Sequence, residues 1–197
     1  MKILSAQGTQ LRHYTRRSLI FSTAALLSLP SYAETPEVCE TEDNQEGPFY
    51  KPGAPLRSDL RVQGMSGVPF TLTGRVFNTA GVPVGGALLD VWHADDKGEY
   101  DNKGFTLRGR LKTDDAGRYK LLTIMPKFYK AGDTIRPAHI HLKVQGEGTP
   151  LLTTQLYFKG DPYNYSDASV RPSLILVPQE DRNRGKSASF DFVLRRG

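Results

Sequence analysis

His139 and His141, two residues apart, are the residues of this chain whose types and spacing most directly suggest a metal site. They lie in Arg136-Pro137-Ala138-His139-Ile140-His141-Leu142-Lys143, a run with strand character. On a strand, residues i and i+2 share one face about 7 Å apart, so two imidazoles can meet at one ion while Ile140 packs on the opposite side. An isolated H-x-H pair equally fits two hydrogen-bonded histidines on a β ladder, so other donors must complete the picture. The chain near the pair offers Asp133 and little else in carboxylates, whereas tyrosines are abundant. Tyr100 ends Trp92-His93-Ala94-Asp95-Asp96-Lys97-Gly98-Glu99-Tyr100, and Tyr129 follows Pro126-Lys127-Phe128 upstream of His139. A phenol with a pKa of about 10 is a poor ligand unless the ion is acidic enough to remove its proton. Trivalent iron is, and two phenolates offset much of its charge. Taken singly, each tyrosine more often describes a packed aromatic with a tethered hydroxyl.

These groups need rigid elements to bring them together. From Phe70 onward the chain is a succession of short β-patterned runs: Phe70–Asn78, Ala87–His93, Arg118–Ile124, Ala138–Val144, Leu151–Phe158, Ser173–Val177 and Ser187–Leu194. Turn chemistry separates them, as in Ala80-Gly81-Val82-Pro83 and Asp114-Asp115-Ala116-Gly117. No segment carries sustained helical periodicity with caps. The pattern predicts an all-β protein, an antiparallel β-sandwich over 70–197 with long loops at 94–105 and 159–172 that carry function. Residues 34–69, with Glu46-Gly47-Pro48-Phe49-Tyr50 and Pro52-Gly53-Ala54-Pro55, are too apolar and aromatic for a free tail and are expected to lie as an N-terminal arm across the core. Tyr50 and residues 46–55 are expected to line part of the pocket.

Residues 1–33 read as an export signal: Arg16-Arg17, the apolar stretch Ser18 to Leu29, then Pro30 and the small residues Ser31 and Ala33, with cleavage expected after Ala33. The Thr15-Arg16-Arg17-Ser18-Leu19-Ile20 run resembles a twin-arginine signal, whose route carries folded proteins, and an ordinary secretory signal is the alternative. The expected location is periplasmic or extracellular. Of the 26 Lys and Arg, four (Lys2, Arg12, Arg16, Arg17) fall in 1–33, which holds no acid, so 22 remain against 21 Asp and Glu. A nearly neutral surface argues against nucleic acid, and no apolar run reaches the length of a stable membrane anchor. The single cysteine, Cys39, excludes an internal disulfide and a multi-thiolate zinc site, and reads as structural or free.

The order and spacing of Glu46-Gly47-Pro48-Phe49-Tyr50, Leu89-Asp90-Val91-Trp92-His93-Ala94, Gly98-Glu99-Tyr100, Thr113-Asp114-Asp115-Ala116-Gly117-Arg118-Tyr119, Arg136-Pro137-Ala138-His139-Ile140-His141 and Gln155-Leu156-Tyr157-Phe158 resemble the intradiol ring-cleavage dioxygenases, the superfamily of protocatechuate 3,4-dioxygenase and catechol 1,2-dioxygenase. The resemblance implies non-haem Fe(III) held by Tyr100, Tyr129, His139 and His141, with Tyr119 the alternative to Tyr129. It implies cleavage of a catechol-type diol by O2 to a cis,cis-muconate-type dicarboxylate, with Tyr129 acting also as a base. Arg136 would stabilise charge at the attacked ring carbon, and Gln155 would hydrogen-bond near it. Without the resemblance, Arg136 is a sheet-edge charge or a partner of Asp133, and Gln155 a polar strand residue. His93 is assigned to packing beside Trp92.

Two rival readings remain. The run Gly74-Arg75-Val76 to Gly81-Val82-Pro83-Val84-Gly85-Gly86-Ala87 also resembles transthyretin-like domains, which are non-catalytic binding modules without the paired tyrosines. A cupin-type metal enzyme also uses H-x-H, but wants a carboxylate and a third histidine, for which only His93 is available. The chain lacks room for the helical dimerisation segment of typical catechol dioxygenases; oligomeric state is open, a homo-oligomer included.

Overall fold

A computed structural model describes residues 38–181 and 184–197. The export-signal reading of 1–33 and the expected cut after Ala33 lie outside them. Twelve strands are described: β1 (Pro69–Asn78), β2 (Leu88–His93), β3 (Arg108–Lys112), β4 (Arg118–Ile124), β5 (Tyr129–Ala131), β6 (Thr134–Arg136), β7 (His139–Gln145), β8 (Leu152–Phe158), β9 (Ile175–Leu176), β10 (Gln179–Glu180), β11 (Lys186–Ser189) and β12 (Phe192–Leu194). The one helical turn among the described residues is the short 3₁₀ segment Pro172–Leu174. No helix among them is long and apolar enough to cross a membrane.

Two five-stranded sheets face each other. The first has the order β10-β11-β1-β12 with β4 also on β1, and the second runs β3-β2-β7-β8-β9; β5 and β6 form a separate hairpin. Alternation puts Phe70, Leu72 and Val76 of β1 and Leu121 of β4 against Leu89 and Val91 of β2, Ile140, Leu142 and Val144 of β7 and Leu156 of β8, all buried in one core. The sandwich is mixed rather than purely antiparallel: β11 and β12 both run parallel to β1, and β9 runs parallel to β8. The expected strand 187–194 is broken at Phe190-Asp191, because β1 changes partner there. Opposite the break stands Gly74, where a Cβ would collide with the Phe190 carbonyl oxygen.

Charged residues hide β3 from a reading based on apolar alternation. Arg108 and Arg110 face outward, yet Arg108 is buried, because residues 38–68 cover that side. This segment is laced to the sandwich by backbone hydrogen bonds: Thr41 N to Val193 O (3.0 Å), Asn44 N to Thr153 O (2.8 Å), Arg57 N to Arg110 O (2.7 Å) and Leu60 N to Leu122 O (2.8 Å). It thus runs past β12 and β8, over the outer face of the second sheet, and along the edges of β3 and β4. An outer sheet face that would otherwise meet water is enclosed.

Candidate metal centre

The outer face of the second sheet is built in rows set by strand register. Arg108, Trp92, His141 and Gln155 are successive cross-strand partners on β3, β2, β7 and β8, and His139 pairs with Tyr157 on the next row of the same face. Both imidazoles are buried, at 2% and 1% exposure for His139 and His141. Their Nε2 atoms lie 3.0 Å apart. His139 Nδ1 sits 2.6 Å from the Pro137 carbonyl oxygen, which assigns the proton to Nδ1 and leaves Nε2 with a free lone pair. The indole of Trp92 stacks on the His141 ring at 4.8 Å and 4° and holds its plane. On the other side Gly47, with φ +73°, lets the arm approach so closely that a Cβ would lie 3.1 Å from His141 Cε1.

Two tyrosines, one from the loop after β2 and one from the start of β5, close on this pair. The Tyr100 hydroxyl is 3.4 Å from His139 Nε2. Tyr129 meets Tyr100 edge-on, with ring centroids 5.4 Å apart, and lies 5.6 Å from the His139 ring. Tyr129 opens β5 and is the direct cross-strand partner of Arg136, which ends β6, so one small hairpin delivers both. Tyr119, the alternative ligand, is elsewhere: its hydroxyl donates to Phe190 O (2.7 Å) and its ring packs on Phe192 at 5.8 Å. Phe49, which sequence reasoning did not single out, stacks on Tyr100 (4.3 Å, 15°) and meets Tyr129 edge-on at 5.6 Å. Tyr50 turns away from the tyrosine pair, donating to Asp90 Oδ2 (3.2 Å) with its ring 4.8 Å from Trp92, so within the arm Phe49 is the ring against the tyrosines.

Arg136 does not pair with Asp133. Its Nε donates to Asp167 Oδ2 (2.5 Å), and its Nη2 to Gln155 Oε1 (2.8 Å). Gln155 Nε2 donates to Gln45 O in the arm (2.6 Å), and its Oε1 also accepts from Tyr157 (2.9 Å). The predicted Arg136 and Gln155 are thus joined to Asp167, which sequence reasoning did not name, and to Tyr157, which it quoted only within the motif that begins at Gln155 and gave no role. Arg108 is a third addition: its Nε donates to Asp101 O (2.9 Å), its Nη1 to Phe49 O (2.6 Å), and its guanidinium lies 5.9 Å from the Tyr100 ring centre. His93 faces inward, away from Trp92, and its Nε2 is 2.7 Å from Thr123 Oγ1 on the opposite sheet. It ties the two layers together and takes no part in this cluster.

Burial decides the protonation states. It pushes His139 down to about 3 and His141 well below its ordinary value, so both are neutral nitrogen donors at physiological pH. It pushes the Tyr100 phenol far up, and raises Tyr129 as well, where Arg136 acts in the opposite sense. Without a cation, both phenols therefore keep their protons. A hard, highly charged ion would displace them and gain two anionic oxygens beside two neutral nitrogens, a donor set suited to Fe(III). Among the described residues no group of three or more His, Cys, Asp or Glu converges, so a cupin-type ligand set is missing and tyrosine must complete any site built on His139 and His141.

A dioxygenase family model matches residues 45–196. The hydroxyquinol 1,2-dioxygenase of Rhizobium sp. (strain MTP-10005) is 36% identical over 193 residues, covering 79% of this chain and 65% of that protein. The chlorocatechol 1,2-dioxygenase of Rhodococcus opacus is 34% identical over 189 residues, covering 76% of this chain and 70% of that one. Among solved structures, the dioxygenase domain of a dioxygenase carbohydrate-binding protein fusion from Streptomyces sp. SirexAA-E superposes with a TM-score of 0.75 at 43% identity, covering 81% of this chain and 100% of that chain. The 3-chlorocatechol 1,2-dioxygenase of Rhodococcus opacus 1CP gives a TM-score of 0.76 at 31% identity, covering 80% and 73%.

Proposed function

This chain belongs to the intradiol ring-cleavage dioxygenase family, and from that premise we propose that it opens a catechol-type ring between its two hydroxylated carbons with O2, yielding a cis,cis-muconate-type dicarboxylate. The observation that carries the reading is the meeting of His139 Nε2, His141 Nε2 and the Tyr100 hydroxyl, with Tyr129 edge-on beside them. These four side chains hold the metal in the proposal, and the metal is non-haem Fe(III). Ferric iron, when bound, supplies a Lewis acid that draws electron density from a diol and makes its ring reactive toward dioxygen. A transthyretin-like binding module has no use for such a donor set.

The protein's own part follows from placement. Tyr129 shares a cross-strand pair with Arg136 and borders the tyrosine cluster from a half-exposed hairpin, so in its phenolate form it takes up a diol proton at Oη. Arg136, held by Asp167 and Gln155, presents a fixed positive charge to the ring carbon that becomes electron-rich. Burial pushes the Tyr157 phenol up to about 12, which keeps it a donor to Gln155 and fixes that amide in turn. Trp92, Phe49 and the arm keep bulk water off the imidazoles.

The test is to load the full chain with ferric iron, record its visible band, add a panel of catechol, hydroxyquinol and protocatechuate without oxygen, then admit oxygen and identify products. A coloured protein whose band shifts with diol and which releases a muconate-type acid is the expected result. A colourless, inert protein after loading overturns the reading, and Tyr129→Phe with full iron and an unchanged band moves that ligand elsewhere. Export to the periplasm or beyond by a twin-arginine signal over 1–33 belongs to the same proposal. Sequencing the N-terminus of the exported protein tests it, and a chain retained intact in the cytoplasm speaks against it.

A further inference from the structure

The loop between β8 and β9 reaches back to the site through two carboxylates that act on the segment just before His139. Asp161 Oδ2 accepts from the Ala138 amide (2.9 Å), and Asp167 Oδ2 accepts from Arg136 Nε (2.5 Å). The Arg136–Asp167 pair is shielded, with side-chain exposures of 14% and 7%. Asp167 is itself braced: its Oδ1 accepts from the Ser169 amide (2.8 Å), and Ser169 O accepts from Asn44 Nδ2 of the arm (2.7 Å). From Arg136 the chain of bonds continues through Gln155 Oε1 (2.8 Å) to Gln45 O (2.6 Å), again in the arm. The guanidinium is therefore gripped by the loop on one edge and by a strand amide on the other, each grip ending on the arm.

The geometry points to Asp167 as a positioning residue for ring cleavage: by engaging Nε of Arg136, it sets the plane of the guanidinium and the direction of the N–H groups left for the substrate. An arginine on a short hairpin has several rotamers of similar energy. A fork bound at Nε by a carboxylate and at Nη2 by an amide has one. A cationic group that stabilises developing charge is effective only if already aimed, and a displacement of about 1 Å can cost on the order of 100-fold in rate. Asp167 bonds to Arg136 and Ser169 and makes no hydrogen bond to His139, His141, Tyr100 or Tyr129, so its effect is expected on turnover and not on metal retention. The inference rests on the dioxygenase reading: an inert wild type would defeat that reading, whereas an active wild type with an indifferent Asp167 would defeat this inference alone.

The experiment compares iron-loaded wild type, Asp167→Asn and Asp161→Asn by iron content, visible band, anaerobic catechol titration, and separate kcat and KM. Asp167→Asn is expected to lower kcat roughly 10- to 100-fold, with KM within about threefold, and with iron, band and anaerobic catechol binding preserved. Asp161→Asn removes the loop's other anchor but leaves Arg136 its partner, and is expected to lower kcat by less than about threefold. Equal losses in the two variants, iron loss in proportion to activity, or full kcat in Asp167→Asn would each overturn the proposal. If Asp167→Asn does not accumulate as folded protein, Arg136→Met and Arg136→Met/Asp167→Asn decide the matter. The second substitution is expected to add less than about threefold once the arginine is gone, and a further tenfold fall would mean that Asp167 acts by another route.

Discussion

Arg108 illustrates how one side chain stabilises the surroundings of a site without belonging to its donor set. It is 2% exposed, yet it has no carboxylate partner; it spends its N–H groups on the carbonyls of Phe49 and Asp101, and Nη2 is buried without a partner. The residue before it, Leu107, takes a positive φ of 54°, a conformation that non-glycine residues seldom adopt. Burial lowers the guanidinium from its ordinary pKa, so the charge is held at a cost, offset in part by Asp101, Tyr100 and Asp90. Arg108→Met keeps the volume but leaves two carbonyls unpaired beside Tyr100. We expect a loss of about 2 to 4 kcal/mol in unfolding free energy, read by urea denaturation, with weakened iron retention because Phe49 is no longer tied over the tyrosine.

At the scale of elements, β1 organises the first sheet. It pairs with β4 on one side and, on the other, hands over from β11 to β12 at Gly74. The handover brings the Phe190 carbonyl against the Gly74 Cα, and the Phe190 amide donates to Thr73 O (2.9 Å) while the Arg75 amide donates to Asp191 Oδ1 (2.7 Å). Gly74→Ala forces the strands apart at the centre of the sheet. A destabilisation of about 3 kcal/mol or more is expected by thermal or urea unfolding, whereas Gly132→Ala, in the β5–β6 turn with open space around it, costs only its φ strain of roughly 1 kcal/mol. The second sheet works differently. Its inner face is apolar apart from His93 and Thr154, and its outer face carries the polar rows that the arm and loops then enclose.

Across the whole molecule, three buried imidazoles share one electrostatic fate. His93 is pushed down to about 4, His139 to about 3, and His141 well below its ordinary value, in each case first by burial. Because the folded pKa values lie below that of a free imidazole near 6.5, the unfolded chain binds protons that the folded chain does not. Stability is therefore fully present above about pH 6.5 and falls as the pH drops toward 3, by about 1.4 kcal/mol per pH unit for each histidine. Metal-free protein should thus lose stability steeply between pH 6 and pH 4, and chemical denaturation at fixed pH values checks the slope. A flat profile across that window would mean that these rings are open to solvent. Bound metal should steepen the acid loss, since Tyr100 and Tyr129 would then be deprotonated in the folded state and protonated in the unfolded one, adding to the proton difference that the histidines already set.

What the sequence alone determined is local in kind. Two-residue alternation shows the strands whose inner faces are apolar, and the H-x-H spacing puts two imidazoles on one face of β7, because side-chain direction on a strand is set by parity. The order of short motifs likewise pointed to Tyr100, Tyr129, Arg136 and Gln155 through resemblance. Only the tertiary structure decided the rest, since it depends on contacts between residues far apart in the chain. Parity does not say which face is outward, so it took the paired sheets to turn His93 into the core and His139 and His141 to the covered side. Nothing in Arg108-Gly109-Arg110 signals a buried strand until the arm lies over it, and nothing near Arg136 foretells that its partner is Asp167, 31 residues away, rather than Asp133. Strand register, loop return and the enclosure of a sheet face by an arm are cooperative outcomes of packing, and they bring His139, His141, Tyr100 and Tyr129 into one cluster.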